Sequence, residues 1–310
     1  MQLRVMTEPQ EGATYDDLLS VARTAEELGY DAFFRSDHYQ RINAGDPGPG
    51  STDAWTTLAG LARDTERIRL GTMVSAVTFR LPGIFAIQVA TVDAMSAGRV
   101  EVGFGSGWYE REHTSYGIPF PPVGERFDML EEYLEVVTGL WTTPDGETYS
   151  FDGAHYHLAD SPALPRPTQR PRPPVVVGGK GPKRTPRLVA RFADEHNVPF
   201  STEDETRAAH DRARRACEEA GRDPATVLYT AAQTIAVGRD EAEVERRAQF
   251  LEASPADLRA GGLGGTVGEV VDKIGRFTEM GVSRIYLQLM DLSDLDQLRL
   301  IAEEVTPQVR

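Results

Sequence analysis

The run FFRSDHY sets a carboxylate, Asp37, directly beside an imidazole, His38. Imidazole titrates near neutrality, so it can take or give a proton at working pH, and an adjacent carboxylate can orient or charge it. Asp37 and His38 are therefore the candidate proton-transfer pair. The competing reading makes Asp37 a loop brace and His38 a partner of the backbone. A second stretch, EVGFGSGWYERE from Glu101 to Glu112, clusters Gly103, Gly105 and Gly107. A dinucleotide fingerprint needs G-x-G-x-x-G with its third glycine inside a helix. Here the glycines alternate strictly, bulky Trp108 and Tyr109 follow, and the next helix start is expected only beyond Pro121 and Pro122. The fingerprint fails. What remains is either a glycine-rich bend or a strand end with little side-chain cover, open to close approach by a flat ligand.

A third stretch, VVVGGKGPKRTPRLVAR, passes from Gly178 and Gly179 into a helix expected to begin near Arg184. Helix amino termini present N–H groups and a positive dipole end to anions. Of 33 basic residues only Lys180, Lys183 and Lys273 are lysine, and two of them stand in this loop. Either the loop is an anion site or it is a solvated charged turn. His155 and His157 lie two apart, as metal ligands can, but no third ligand is evident nearby and no metal is expected. Neither a nucleophile elbow nor a phosphate-binding Walker loop is present.

These residues need a scaffold. Short apolar runs alternate with helical patterns along the chain, at Leu3 to Met6, Ala32 to Arg35, Ile68 to Ser75, Val100 to Gly103, Val175 to Val177, Asn197 to Phe200, Thr230 to Val237 and Arg284 to Leu289. Between them, sets such as Leu18, Ala22 and Ala25 or Leu130, Leu134 and Val137 recur at helical spacing. Eight strands alternating with helices predict an α/β fold of the (β/α)8 TIM-barrel type rather than a doubly wound sheet. In such a barrel the residues at strand carboxyl ends, His38 and the glycines among them, share one catalytic face. The third strand has no charge between Arg69 and Arg80, and Pro82 suits the first turn of the helix that follows.

Residues 1–310 are read as one barrel domain with insertions at about 108–123 and 142–174. The second insertion contains the hairpin-like TYSFDGAHYHL, expected to pack over the barrel, then a proline-rich return, SPALPRPTQRPRPP. A domain boundary there is the alternative. With 48 acidic against 33 basic residues the net charge is -15, which argues against nucleic acid or an anionic membrane as the main partner. Cys217 is the lone cysteine, so no intrachain disulfide forms and a reducing cytoplasm suits the chain. Neither a signal peptide nor a membrane span is expected.

Taken jointly, SDH after strand two, LGTMV with TFR-x-P at strand three, GFGSGWYERE with the following GIPFPP and ERF, and VGGKGPKRT-x-R at strand five resemble the luciferase-like monooxygenase superfamily. Within it the likeness is closest to oxidoreductases that use the deazaflavin coenzyme F420. The resemblance implies a (β/α)8 barrel, usually a homodimer, that moves a hydride between the deazaflavin and an unidentified small organic substrate. Carried over by position, Asp37 would lie against the ring and His38 beside the reacting carbon. Met73 and Val74 match the place of a non-proline cis peptide behind the ring. Ser106, Gly107 and Tyr109 match the loop at the cofactor's side chain, and Gly178 and Gly179 its phosphate turn. Lys180, Lys183 and Arg184 would face the anionic tail. Tyr39, Phe79, Arg80 and Trp108 are the candidates for substrate contact. The family's sugar-phosphate dehydrogenases carry glutamate where this chain has Trp108, so a sugar phosphate is not the expected substrate. Two further readings are kept: a monooxygenase using reduced FMN and oxygen, and a carrier that binds a flavin or deazaflavin without turnover.

Overall fold

The computed structural model describes residues 1–309. Its strands are β1 (Gln2–Thr7), β2 (Ala32–Arg35), β3 (Arg69–Ala76), β4 (Val100–Gly105), β5 (Tyr149–Asp152), β6 (His157–Ser161), β7 (Val175–Gly178), β8 (Glu195–Pro199), β9 (Leu228–Gly238), β10 (Leu263–Thr266) and β11 (Arg284–Leu289). The helices are α1 (Tyr15–Glu27), α2 (Ala54–Asp64), α3 (Pro82–Met95), α4 (Glu110–Ser115), α5 (Val123–Thr142), α6 (Arg184–Phe192), α7 (Glu203–Glu219), α8 (Glu241–Phe250), α9 (Pro255–Gly261), α10 (Val267–Glu279) and α11 (Leu295–Leu300).

Parallel pairing runs β1-β2-β3-β4-β7-β8-β9-β11 and returns to β1, closing an eight-stranded barrel. The expected strands occupy these places. The sixth starts earlier than expected, at Glu195 instead of Asn197. Its polar opening residues look unlike a buried strand, yet Glu195 sits inside the barrel and accepts from Tyr286 Oη at 2.7 Å and Arg284 Nη1 at 2.6 Å. Across from it Arg4 donates to Glu101 at 2.6 Å. The lower interior is thus a paired charge network, as a buried charge requires, and Met6, Phe34, Met73, Val176 and Ala232 form the apolar layer around it.

Helices cover the outside through a larger apolar layer. Two devices fix their starts: Thr14 and Asp17 form a capping box at α1, and Asp53 caps α2 by accepting from the Thr56 N–H at 2.8 Å. No helix of the described residues is long and apolar enough to cross a membrane.

The hairpin expected in the second insertion is β5-β6. It packs on the outer helices rather than over the barrel mouth: Glu132 of α5 accepts from the Ala154, His155 and Tyr156 N–H groups at 2.8 to 3.2 Å. The proline-rich return is tied to the barrel by Gln169, which bonds both Asp93 oxygens at 2.7 and 2.9 Å. A third excursion was not expected. Between β9 and β11 the chain adds α8, α9 and β10, and β10 extends the barrel by pairing with the upper half of β9.

Candidate active site

The carboxyl ends of the barrel strands open into a cavity of about 760 Å³. His38, just beyond β2, lines it. Its Nδ1 lies 2.9 Å from Oε1 of Glu112 on α4, and the other oxygen of that carboxylate accepts the Tyr39 N–H at 2.9 Å. A carboxylate only accepts, so Nδ1 carries the proton and Nε2 is the nitrogen left for exchange. Burial pulls the His38 pKa down, but the hydrogen bond and charge of Glu112 outweigh it and hold the imidazole above its ordinary range. Glu112 is 1% exposed. The acid serving His38 is therefore Glu112, 74 residues along the chain, and not its neighbour Asp37.

Asp37 touches the cavity, but both its oxygens are taken by Arg80, at 2.6 and 3.2 Å. Arg80 also donates to Tyr39 Oη at 2.8 Å and to Asp53 Oδ2 at 2.5 Å. This clamp joins β2, β3 and α2 behind the site. Of the four residues expected at substrate, only Trp108 lines the cavity, 62% exposed and edge-on to His38 with ring centroids 5.9 Å apart. Arg80 belongs to the clamp, and Tyr39 and Phe79 stack on each other at 4.9 Å beside it. Tyr109 points away too, donating to the Arg41 carbonyl at 3.2 Å.

Another part of the lining is largely glycine backbone around Val74. Met73, Val74, Gly105, Ser106, Gly107, Gly178 and Gly179 all border the cavity, and the Met73–Val74 peptide bond is cis. Glycine is required here by contact. A Cβ on Gly105 would lie 2.6 Å from Val74 Cγ2, and one on Gly178 would lie 3.0 Å from Val74 Cγ1. At Gly107 and Gly179 the need is conformational, with φ of 77° and 132°. A helix does follow the glycines, contrary to expectation: α4 starts at Glu110, short enough to escape a periodicity search, and it is what delivers Glu112. The failed fingerprint spacing is unaffected.

At the turn after β7, the Gly179 N–H is already bonded to the Asn197 carbonyl at 3.0 Å. Lys180, Lys183 and Arg184 stand outside the cavity lining. Lys180 lies 3.5 Å from Glu205, and Arg184 pairs with Asp128. His155 and His157 are on the outer hairpin, where His157 meets Asp152 at 2.7 Å, and no group of three potential metal ligands occurs among the described residues. Asn197, which sequence pattern did not single out, lines the cavity while 1% exposed; its Nδ2 donates to Thr230 Oγ1 at 3.0 Å and its Oδ1 has no partner.

The sequence profile described as luciferase-like monooxygenase matches residues 1–274. An F420-dependent glucose-6-phosphate dehydrogenase of Microbacterium testaceum is 36% identical over 181 residues, which is 58% of this chain and 51% of that protein. The chain spans about half to two thirds of the first curated relatives it matches. A protein of the same name from Beutenbergia cavernae is 29% identical over 326 residues, covering 95% of this chain and 93% of its own length. Among solved structures, an F420-dependent secondary alcohol dehydrogenase in complex with an F420-acetone adduct superposes with a TM-score of 0.85 over 100% of this chain and 99% of its own, at 22% identity, which is a likeness of fold.

Proposed function

Because the chain belongs to the luciferase-like monooxygenase family, we propose that it is an oxidoreductase dependent on coenzyme F420, passing a hydride between the deazaflavin and a small organic substrate. The observation that carries this reading is the juxtaposition, in one cavity, of a glycine-and-Val74 wall with the His38–Glu112 pair. The wall suits a flat ring because its backbone carries no side chain beyond Val74 at Gly105, Gly107, Gly178 and Gly179. Ser106 and Gly107 would meet the cofactor's polar side chain. The turn at Gly178 and Gly179 would lie beside its phosphate without offering the Gly179 N–H, which the Asn197 carbonyl holds, and Lys180, Lys183 and Arg184 stand outside that turn for an anionic tail. When bound, the deazaflavin supplies a ring carbon that accepts or gives a hydride.

The protein's part is position and proton. Glu112 holds the Nδ1–H of His38, so Nε2 accepts a proton from substrate in the oxidising direction and returns one in the reducing direction. Glu112 stabilises the imidazolium formed meanwhile, as the raised His38 pKa requires. Asp37 supports this geometry through Arg80 and does not itself transfer a proton. The names of the relatives, F420-dependent dehydrogenases, favour the same cofactor. A homodimer belongs to the same proposal, and the exposed Leu81, Ile84 and Ile87 of the α3 region give it an apolar face.

The test uses protein loaded with oxidised coenzyme F420 and a panel of alcohols, followed by cofactor absorbance. Substrate-dependent reduction is expected, and His38→Ala should remove it while coenzyme affinity stays within about threefold. A carrier would bind the coenzyme and reduce it with no member of the panel. A flavin monooxygenase would instead couple reduced FMN and oxygen to product formation.

A further inference from the structure

The cavity lining contains five carboxylates, from Glu8, Glu11, Asp37, Glu112 and Asp257, and neither lysine nor arginine. Three of the five are answered: Asp37 by Arg80, Glu11 by Arg41 at 3.4 Å, and Glu112 by His38. Glu8 has only neutral partners among the described residues. Gln10 Nε2 donates to it at 2.7 Å and Gln288 Nε2 at 2.8 Å. Those amides are fixed in turn, Gln10 Oε1 by Ser36 Oγ at 2.6 Å and Gln288 Oε1 by Thr234 Oγ1 at 2.5 Å. Every member of this belt borders the cavity, and its donors all point inward along the chain of bonds to Glu8. The belt therefore ends in a fixed negative acceptor on the barrel rim.

Much of the remaining outer wall is apolar: Ile42, Trp108, Phe200, Leu258 and Met290. Phe200 is held with φ at 42°, a left-handed conformation unusual for a bulky residue, by its N–H bond to the Ala232 carbonyl at 2.9 Å. A substrate phosphate or carboxylate placed beside Glu8 would meet a fixed negative charge and no lysine or arginine, and like-charge juxtaposition is strongly unfavourable.

We infer, building on the hydride-transfer reading above, that the substrate is an uncharged hydroxyl compound with an apolar body, whose reacting hydroxyl donates to His38 Nε2 while the fixed negative charge of Glu8 keeps anionic groups out, so that the site rejects sugar phosphates. The positive charge of the region lies outside the cavity, on Lys180, Lys183 and Arg184. This chain consequently differs in substrate from the relatives whose names carry glucose 6-phosphate.

The experiment measures binding by isothermal titration to protein already saturated with oxidised coenzyme F420, with cyclohexanol, glucose and glucose 6-phosphate as probes. Cyclohexanol is expected to bind more tightly than glucose 6-phosphate by on the order of 100-fold, and glucose more tightly than its phosphate. Glu8→Gln should narrow the gap, and Glu8→Lys should raise glucose 6-phosphate affinity at least tenfold. Binding of glucose 6-phosphate as tight as that of cyclohexanol, with the coenzyme bound, would overturn this inference alone. Failure of the coenzyme to bind would overturn the hydride-transfer reading and the inference together. Equal effects of Glu8→Gln and Glu8→Lys on all three probes would remove Glu8 from substrate selection.

Discussion

Arg80→Met deletes the guanidinium while keeping an unbranched side chain, and so strands Asp37 and Asp53 behind the active site. The Asp37 side chain is 1% exposed and that of Arg80 8%. Breaking a buried pair by removing one partner costs about 3–5 kcal/mol. Asp37 borders the cavity, where water can reach it, which places the expected loss near the lower end, about 3 kcal/mol. Asp53 adds to this. Burial raises its pKa, but the Arg80 charge and the Thr56 N–H outweigh that and bring it to about 2. A folded-state pKa below the unfolded value stabilises the protein above about pH 4, and that stability is lost as pH falls toward 2. Its full value is about 2.5 kcal/mol, reduced to roughly 1 kcal/mol because the carboxylate is one-third exposed. At pH 7 the variant should thus unfold about 4 kcal/mol more easily, a fall in Tm of roughly 6 °C for a chain of 310 residues. Urea unfolding followed by circular dichroism at several pH values measures it. The gap between wild type and variant should shrink as pH approaches 2, and Asp37→Asn should restore part of the loss in the Arg80→Met background. A loss under about 1 kcal/mol at pH 7, or a gap unchanged by acid, would refute the clamp as a source of stability.

Glu112→Gln should lower the His38 pKa, which burial depresses and Glu112 holds up, so the limb of the pH–rate profile that reports His38 moves to lower pH while coenzyme affinity changes little. The linked stability runs the same way: the wild type gains it below the unfolded histidine pKa and loses it as pH rises through the folded one, and the variant should show less of that loss. Gly105→Ala brings a Cβ to 2.6 Å from Val74 Cγ2, and Val74 is already backed by Gly103 and Gly178, so relief must push Val74 into the cavity; coenzyme affinity should fall by about 10–100-fold, and unchanged affinity in a titration would contradict the wall. Burial brings His196 to about 4 and His210 to about 3. Folded-state values below the unfolded one mean stability is complete above about pH 6.5 and drains as pH falls toward 4. A His196→Phe, His210→Phe double variant should unfold with a flatter dependence on pH in that window.

What could be read from the chain was whatever repeats or sits at a marked position. The strands announce themselves by apolar runs, and His38 and the glycines of β4 and β7 stand at strand ends, where a barrel puts its chemistry. Pairings between distant segments were not legible. Glu112 reaches His38 only because a six-residue helix turns it inward, and nothing in the adjacency of Asp37 and His38 reveals that Asp37 faces Arg80 instead. The same limit hid the belt from Ser36 to Thr234, whose members come from four strand ends or the loops after them. Glu195 escaped the strand pattern because the barrel interior is partly charged. The excursion carrying α8, α9 and β10 escaped because β10, LGGT, has two glycines in four residues and reads as a loop.

Whether the Val74 and glycine wall holds a deazaflavin, as proposed, is tested most directly by a side-by-side fluorescence titration of the protein with oxidised coenzyme F420 and oxidised FMN. Tighter binding of coenzyme F420, weakened by Gly105→Ala, is the predicted result. Tighter binding of FMN, or coenzyme F420 affinity indifferent to that substitution, would contradict it.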